Sequence, residues 1–286
     1  MMNKVILAGS GYLGEYILEQ ICDVTDLSVI DVCRTNKTTK GGVINIIRDF
    51  DNKNNDLEFM NNGTVIYMAP PSTNSLSDDR INNFLKDISS LIIKKIIYIS
   101  TSGVYGNCHG KLVDESTPVA PITERAIRRV SAEKQLIAFA KKNKIKLIIL
   151  RVPGIYGPGR LPLERVRLRE PLIKTGESRI TNIIHVMDLA RICISSVYLE
   201  TSMEIINVSD GSPLKTTAYY EYIYQATNQK LPEYITFSQA LKDYSKKRIS
   251  FLKESRILNV EKMNMLFPKC IKYSDAKDGI RESLLV

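Results

Sequence analysis

No apolar run in this 286-residue chain reaches the roughly 20 residues needed to span a bilayer. A membrane-spanning helix is therefore not expected. The apolar N-terminal stretch, Met1 to Ala8, is cut short by glycines and is too brief for a signal peptide, so a cytoplasmic location is the expectation. No C-x-x-C pair occurs among Cys22, Cys33, Cys108, Cys193 and Cys270. Their odd number and wide scatter argue against a disulfide framework and against a zinc site, and no metal is expected. Four of them sit in apolar runs or on expected core faces, where free cysteine behaves as a small hydrophobe. Cys108, beside His109, reads as an incidental loop thiol. There is no internal repeat and no low-complexity tract. The formal net charge of +9 is dispersed, and the cluster Lys141-Lys142-Asn143-Lys144 reads as a solvated helix end. Nucleic-acid and membrane partners are not expected, whereas anionic cofactors and substrates would feel the positive field.

Within these bounds the composition, 44% hydrophobic and 25% charged, is that of an ordinary globular protein. Strands and helices alternate through the first two-thirds. Apolar runs predict strands at Lys4 to Ala8, Leu27 to Cys33, Val43 to Ile47, Thr64 to Met68, Ile96 to Ser100 and Lys146 to Leu150. Helical spacing predicts helices over Tyr12 to Cys22, over Ile81 to Ile93 with a stripe ending at Ile92, and over Glu124 to Lys142. A late helix is expected near Asp188, with Asp188 as its cap, and a late strand through Ile205 to Val208. Continuous apolar strands between helices imply an α/β fold, a Rossmann-type doubly wound parallel sheet with a smaller C-terminal lobe. The expected division is a dinucleotide-binding domain over 1–153, to which 185–208 returns, and a substrate-side lobe over 154–184 and 209–286.

Gly9-Ser10-Gly11-Tyr12-Leu13-Gly14 fits G-x-G-x-x-G, and it follows a strand and opens a helix, the context that gives this pattern its meaning. Gly9 makes the turn, Gly11 admits a pyrophosphate, and Gly14 lets the helix pack. The helix N-terminus adds N–H donors and positive partial charge. The expected cofactor set is Gly9, Ser10, Gly11, Tyr12, Leu13, Gly14 and Arg34, with Ala69 and Pro70 after the fourth strand. Asp31 lies about 20 residues beyond the loop, where an acid would hold a ribose 2′-hydroxyl. Arg34 and Lys37 would instead suit a 2′-phosphate. The two signals conflict. NADP is the preferred expectation and NAD the alternative. Asp49 is positioned either near an adenine or in an exposed turn.

Further motifs follow in order: Ser100-Thr101-Ser102-Gly103-Val104-Tyr105-Gly106, Asp114-Glu115, Pro118 and Pro121, Ala132-Glu133, then Arg151-Val152-Pro153-Gly154-Ile155-Tyr156-Gly157-Pro158-Gly159-Arg160, His185-Val186-Met187-Asp188-Leu189-Ala190 and Asn207-Val208-Ser209-Asp210. Together they resemble the extended short-chain dehydrogenase/reductases, the family of nucleotide-sugar epimerases and dehydratases. The resemblance covers nearly the whole chain. It implies that Pro153 and Ile155 meet the nicotinamide and that Thr101 polarises a substrate carbonyl. It also implies a Tyr-x-x-x-Lys pair on one helix face. Counting back from Glu133, those two positions hold Arg125 and Arg129. Arginine stays protonated and is no ordinary general base. The short glycine loop and the missing pair resemble the atypical members of the family.

The resemblance thus implies an NAD(P)-dependent oxidoreductase or epimerase/dehydratase-like enzyme. Its substrate is a small carbonyl or sugar-type molecule, anionic in one reading, and its acid/base residue is non-standard. Tyr105 is a candidate for that role, as is Tyr156; each could equally be a packed motif tyrosine. Arg125 and Arg129 either bind an anion or form an ion-paired stripe with Glu124 and Glu133. Only Arg179 precedes His185 as a basic residue, which weakens a nucleotide-sugar assignment. The alternative function is a non-catalytic NAD(P)-binding sensor or partner-binding protein, and a monomer or homodimer is expected.

Overall fold

In the computed structural model, residues 3–21, 24, 26–35 and 42–285 are described. Lys37 and Cys22 lie outside them. Seven strands form one sheet: β1 (Asn3–Ala8), β2 (Leu27–Cys33), β3 (Ile44–Ile47), β4 (Thr64–Tyr67), β5 (Lys95–Thr101), β6 (Lys146–Val152) and β7 (Met203–Asn207). Their order is β7-β6-β5-β4-β1-β2-β3, and the pairings from β3 through β5 are parallel. The doubly wound expectation is met. β1, β4 and β5 are buried almost throughout, as expected of strands covered on both faces. Tyr67, Tyr98, Phe50 and Phe84 form an aromatic cluster within this core.

One predicted helix is shorter than its apolar stripe. It spans Asp79–Asp87 and turns off at Ile88. Ile92 is 65% exposed. The Asn61 side chain accepts from the Ile92 N–H, and the Ile92 carbonyl accepts from the Asn62 N–H. These two bonds, from residues about 30 positions earlier, hold Ile92 in a loop, and tertiary hydrogen bonding outweighs periodicity there.

Contacts divide the chain into two units. The first comprises 1–104, 124–151 and 189–206 and contains the sheet. The second comprises 105–123, 152–188 and 207–286. Segment 105–123, assigned above to the first domain, packs with the second unit because its strand Leu112–Val113 pairs with Ile257–Leu258. The second unit also pairs Gly154–Tyr156 with Ile183–His185. Its core gathers Tyr156, Val166, Ile183, Ile223, Tyr224 and Ile280. Of the four described cysteines, Cys33, Cys193 and Cys270 are buried. No described helix is long and apolar enough to cross a membrane.

Candidate functional site

The strand order reverses between β1 and β4, the point at which open α/β sheets bind ligands beyond their carboxyl ends. A cavity of about 150 Å³ opens there, lined by Gly9, Ser10, Gly11, Cys33, Arg34, Arg48, Asp49, Phe50, Ala69, Pro70 and Arg80. The structure thus brings six of the expected cofactor residues together. Tyr12, Leu13 and Gly14 continue into the helix Tyr12–Ile21. Gly9 adopts φ +79°, and a Cβ there would lie 2.6 Å from the Ala69 Cβ. Only glycine lets the two loops come so close. Gly11 has nothing within 4 Å of where its Cβ would stand, so a ligand can approach its backbone. Gly14 packs differently from expectation. An added Cβ would meet the Ser10 side chain, with Met68 at 3.6 Å, so the loop folds on itself before it meets the sheet.

Asp31 is fully buried, and its Oδ2 accepts from the Asn45 side chain at 3.2 Å while Oδ1 has no partner. Cys33, the last residue of β2, and Arg34 just after it line the cavity. The register of β2 therefore puts Asp31 within the sheet and Arg34 at the rim. Arg48, Phe50 and Arg80 escaped the sequence reading. Arg80 grips Asp51 through two bonds, Nε to Oδ1 at 2.7 Å and NH2 to Oδ2 at 2.5 Å, and also donates to the Pro70 carbonyl. The Arg80 hydrogen bond holds the Asp51 carboxyl below its usual range. Arg80 lies ten positions beyond Pro70, a separation that no short motif signals.

Thr101 ends β5, and the three residues before it are held by the helix Glu124–Asn143. Arg129 donates to the Tyr98 hydroxyl at 2.9 Å and to the Ile99 carbonyl at 2.8 Å. Glu133 accepts from Ser100 at 2.5 Å and from Arg151 at 2.8 Å, with both ion-pair side chains about 5% exposed. Three successive residues of β5 are thus tied to that helix or to its neighbour β6. Thr101 Oγ1 accepts from the Gly103 N–H at 3.2 Å. A Cβ on Gly103 would touch both Thr101 and Ala126, so Thr101 lies beside the first turn of the helix.

These contacts revise several expectations. The ion pair with Glu124 is made by Arg128, whose Nε also donates to the Ser75 carbonyl. Glu133 pairs with Arg151. Arg129 is not part of an ion-paired stripe: its guanidinium caps a buried tyrosine and a strand carbonyl. Burial pushes the Tyr98 hydroxyl up to about 12 even beside this cation. Arg125 is half-buried in the same first turn. Tyr105 is 2% exposed and donates to Asn207 Oδ1 at 2.7 Å. It is a packed tyrosine, because the turn after β5 carries it into the interior of the second unit. Tyr156 is equally buried, and burial drives its hydroxyl well above the ordinary range.

In the second unit His185 is fully buried. Its Nδ1 accepts from the Met187 N–H, and its ring packs 4.2 Å from Tyr273. Asp188 does not cap the helix Val186–Tyr198 but lies within its first turn. Its carboxylate accepts the N–H groups of Lys272 and Tyr273 at 3.1 and 3.0 Å. Asp210 is 5% exposed with Oδ2 unpartnered, and burial, followed by Asp188 and Asp275, pushes its carboxyl up to about 7. A carboxyl raised from 3.8 to about 7 on folding takes up a proton in the native state. Its stabilising protonation is complete below pH 3.8 and is lost as pH rises through about 7. Asp210→Asn keeps the acceptor for the Ser212 N–H and removes the buried charge. Urea unfolding at pH 8 is expected to show the variant more stable by about 1–3 kcal/mol, with no gain at pH 4. Equal gains at both pH values would refute the assignment.

A cavity of about 400 Å³ in the second unit is lined by Ile155, Tyr156, Arg160, Arg165, Tyr220 and Arg248 among others. Ile155 is thus placed at this cavity, and Pro153 stands half-buried two residues before it. Arg165 and Arg248 are 83 positions apart, and nothing in the sequence pairs them.

Residues 5–208 match the model of the NAD dependent epimerase/dehydratase family. The chain belongs to that family. A curated relative, the decarboxylating sterol-4-alpha-carboxylate 3-dehydrogenase of Schizosaccharomyces pombe, is 29% identical over 55% of this chain and 52% of its own length. The match therefore spans about half of that protein. A functionally unknown conserved protein from Silicibacter pomeroyi superposes with a TM-score of 0.84 at 22% identity over 99% of both chains. The UDP-glucuronic acid 4-epimerase of Bacillus cereus, solved with UDP-glucuronic acid and NAD, gives 0.79 at 16% identity over 99% of this chain and 100% of its own. At these identities the solved epimerase/dehydratase structures share the fold.

Proposed function

We propose that the chain is a nicotinamide-dinucleotide-dependent enzyme of the epimerase/dehydratase type, acting on a carbonyl or alcohol of a small substrate. The observation that carries this reading is the glycine-lined cavity at the sheet's switch point. The residues present fit a dinucleotide: an open Gly11 backbone, a helix N-terminus for phosphate, and Arg34 and Ala69 flanking the entrance. When bound, the cofactor supplies hydride acceptance and donation. Thr101, tied in place through Ile99 and Ser100, donates its hydroxyl to the reacting oxygen. At the positions of the family's Tyr and Lys stand Arg125 and Arg129. Neither moves a proton at neutral pH. Arg129 holds β5 in place, and Arg125 offers a charged N–H to an oxygen gaining negative charge. The test is absorbance at the nicotinamide band with NADPH or NADP⁺ and a panel of ketones, alcohols and nucleotide sugars. Turnover supports the enzyme, and Thr101→Ala should lower it. The burial of Tyr105 and the engagement of Arg129 favour one other reading, a cofactor-binding sensor without turnover. Tight binding with no consumption across the panel would select it.

NADP is the proposed preference. Arg34 and Arg48 line the cavity with Asp49 and with Arg80, which is paired to Asp51, while Asp31 is buried within the sheet. One charged hydrogen bond to a 2′-phosphate is worth roughly 1.5–3 kcal/mol, about ten- to a hundredfold in affinity. Arg34→Ala is expected to remove most of the NADPH-over-NADH difference measured by calorimetry. A wild-type preference for NADH would contradict the assignment.

A further inference from the structure

The 400 Å³ cavity of the second unit has a chemical character of its own. Among the described residues lining it there is no Asp, Glu, Asn, Gln or His. Its walls include Leu172, Ile173, Ile183 and Leu252, and Phe251, 56% exposed, also lines it. Several of its hydroxyls are already committed. Thr217 donates to the Ile173 carbonyl at 2.6 Å, Tyr244 donates to the Pro171 carbonyl at 2.5 Å, and Tyr220 accepts from Arg165 at 2.8 Å. Hydroxyls of Tyr156, Ser178, Thr181, Thr216 and Tyr219 also line it, but it presents no side-chain carboxylate, amide or imidazole of the kind that reads a sugar's hydroxyls or the edge of a pyrimidine.

The cavity does offer cations. Arg160, Arg165 and Arg248 line it. Arg165 and Arg248 share a single carboxylate, Glu170, at 3.9 and 2.5 Å. Glu170 and Asp243 line the neighbouring 320 Å³ cavity, not the larger one. Arg248 lies 3.4 Å over the Tyr244 ring centroid, which orients its planar fork. Two guanidiniums with one acid between them retain positive charge, and a fork of this kind pairs carboxylate or phosphate oxygens.

We infer that this cavity binds an amphipathic anion, an apolar or aromatic body with a carboxylate or phosphate head, rather than a nucleotide sugar. The inference deepens the proposed function by naming its substrate class, and it rests on that reading only in calling the ligand a substrate. Calorimetry on the full chain tests it with four probes: 2-naphthylacetate, 1-naphthyl phosphate, 2-naphthylacetamide and UDP-glucose. At least one of the two naphthyl anions should bind, and the stronger identifies the head group. The amide should bind at least tenfold more weakly. Arg248→Gln should weaken the anion tenfold and leave the amide unchanged, and Arg248→Lys should recover part of the loss. If Arg248→Gln lowers the melting temperature, Arg165→Gln serves in its place. Equal binding of acid and amide, displacement of the anion by UDP-glucose, or no anion binding at millimolar concentration would overturn the inference. NADPH titration of the same samples separates the two claims. Cofactor binding without anion binding defeats only the cavity assignment, and the reverse defeats only the cofactor reading.

Discussion

Gly11→Val is expected to abolish NADPH binding, a loss of at least a hundredfold or about 3 kcal/mol, while the protein melts as before. The two halves of that expectation have separate physical causes. No protein atom lies within 4 Å of the position a Gly11 Cβ would take, so the fold has room for the larger side chain. The same space is where a pyrophosphate must approach the loop backbone, and an isopropyl group fills it. Gly9 makes the contrast. Its φ of +79° and the Ala69 Cβ 2.6 Å from an added carbon mean that Gly9→Val should damage folding and binding together. Calorimetric titration with NADPH, beside thermal melting of both variants, checks the pair. Unchanged affinity in Gly11→Val would remove this loop from the cofactor site.

The second large effect concerns stability. Glu133→Ala should destabilise the protein by about 3–5 kcal/mol, because it strands a buried guanidinium without its carboxylate. The pair is almost wholly enclosed, with Arg151 and Glu133 side chains at 5% and 4% exposure, so solvent screens it little. Glu133 also accepts from Ser100 and so ties β5, β6 and the intervening helix to one carboxylate. Replacing both partners with apolar residues, Glu133→Leu with Arg151→Met, should cost much less than either single loss. Urea unfolding distinguishes these outcomes. A single variant as stable as the parent would show that the pair contributes little. Because Ser100 immediately precedes Thr101, Glu133→Ala should also lower any turnover that depends on the Thr101 hydroxyl, even at temperatures where the variant remains folded.

Much of this was legible in the residues. Strands β1, β2, β4, β5 and β6 coincide with apolar runs to within two residues because each is buried on both faces, and periodicity reports burial directly. The glycine loop was legible because its spacing answers a local backbone need. What escaped notice depends on long-range pairing. Arg80 reaches Pro70 and Asp51 across a helix start, and Arg165 meets Arg248 only after the second unit folds. Glu133 and Arg151 both stood in motifs, yet their partnership follows from β6 lying beside β5. Tyr105 looked available because it sits in a loop. Its hydroxyl instead finds Asn207, 102 positions away. The helix after β4 also ended early for a long-range reason, because Asn61 and Asn62, some 30 positions earlier, hold Ile92.

The central claim is that the cavity at the end of β1 and β4 holds a nicotinamide dinucleotide. Hydrogen–deuterium exchange of the whole chain with and without saturating NADPH tests it most directly, because it reports where a ligand sits without requiring turnover. Slowed exchange is expected at the amides of Gly9 to Gly14, at Cys33 and Arg34, at Asp49 and Phe50, and at Ala69. Unchanged exchange at these segments, or protection confined to others, would contradict it.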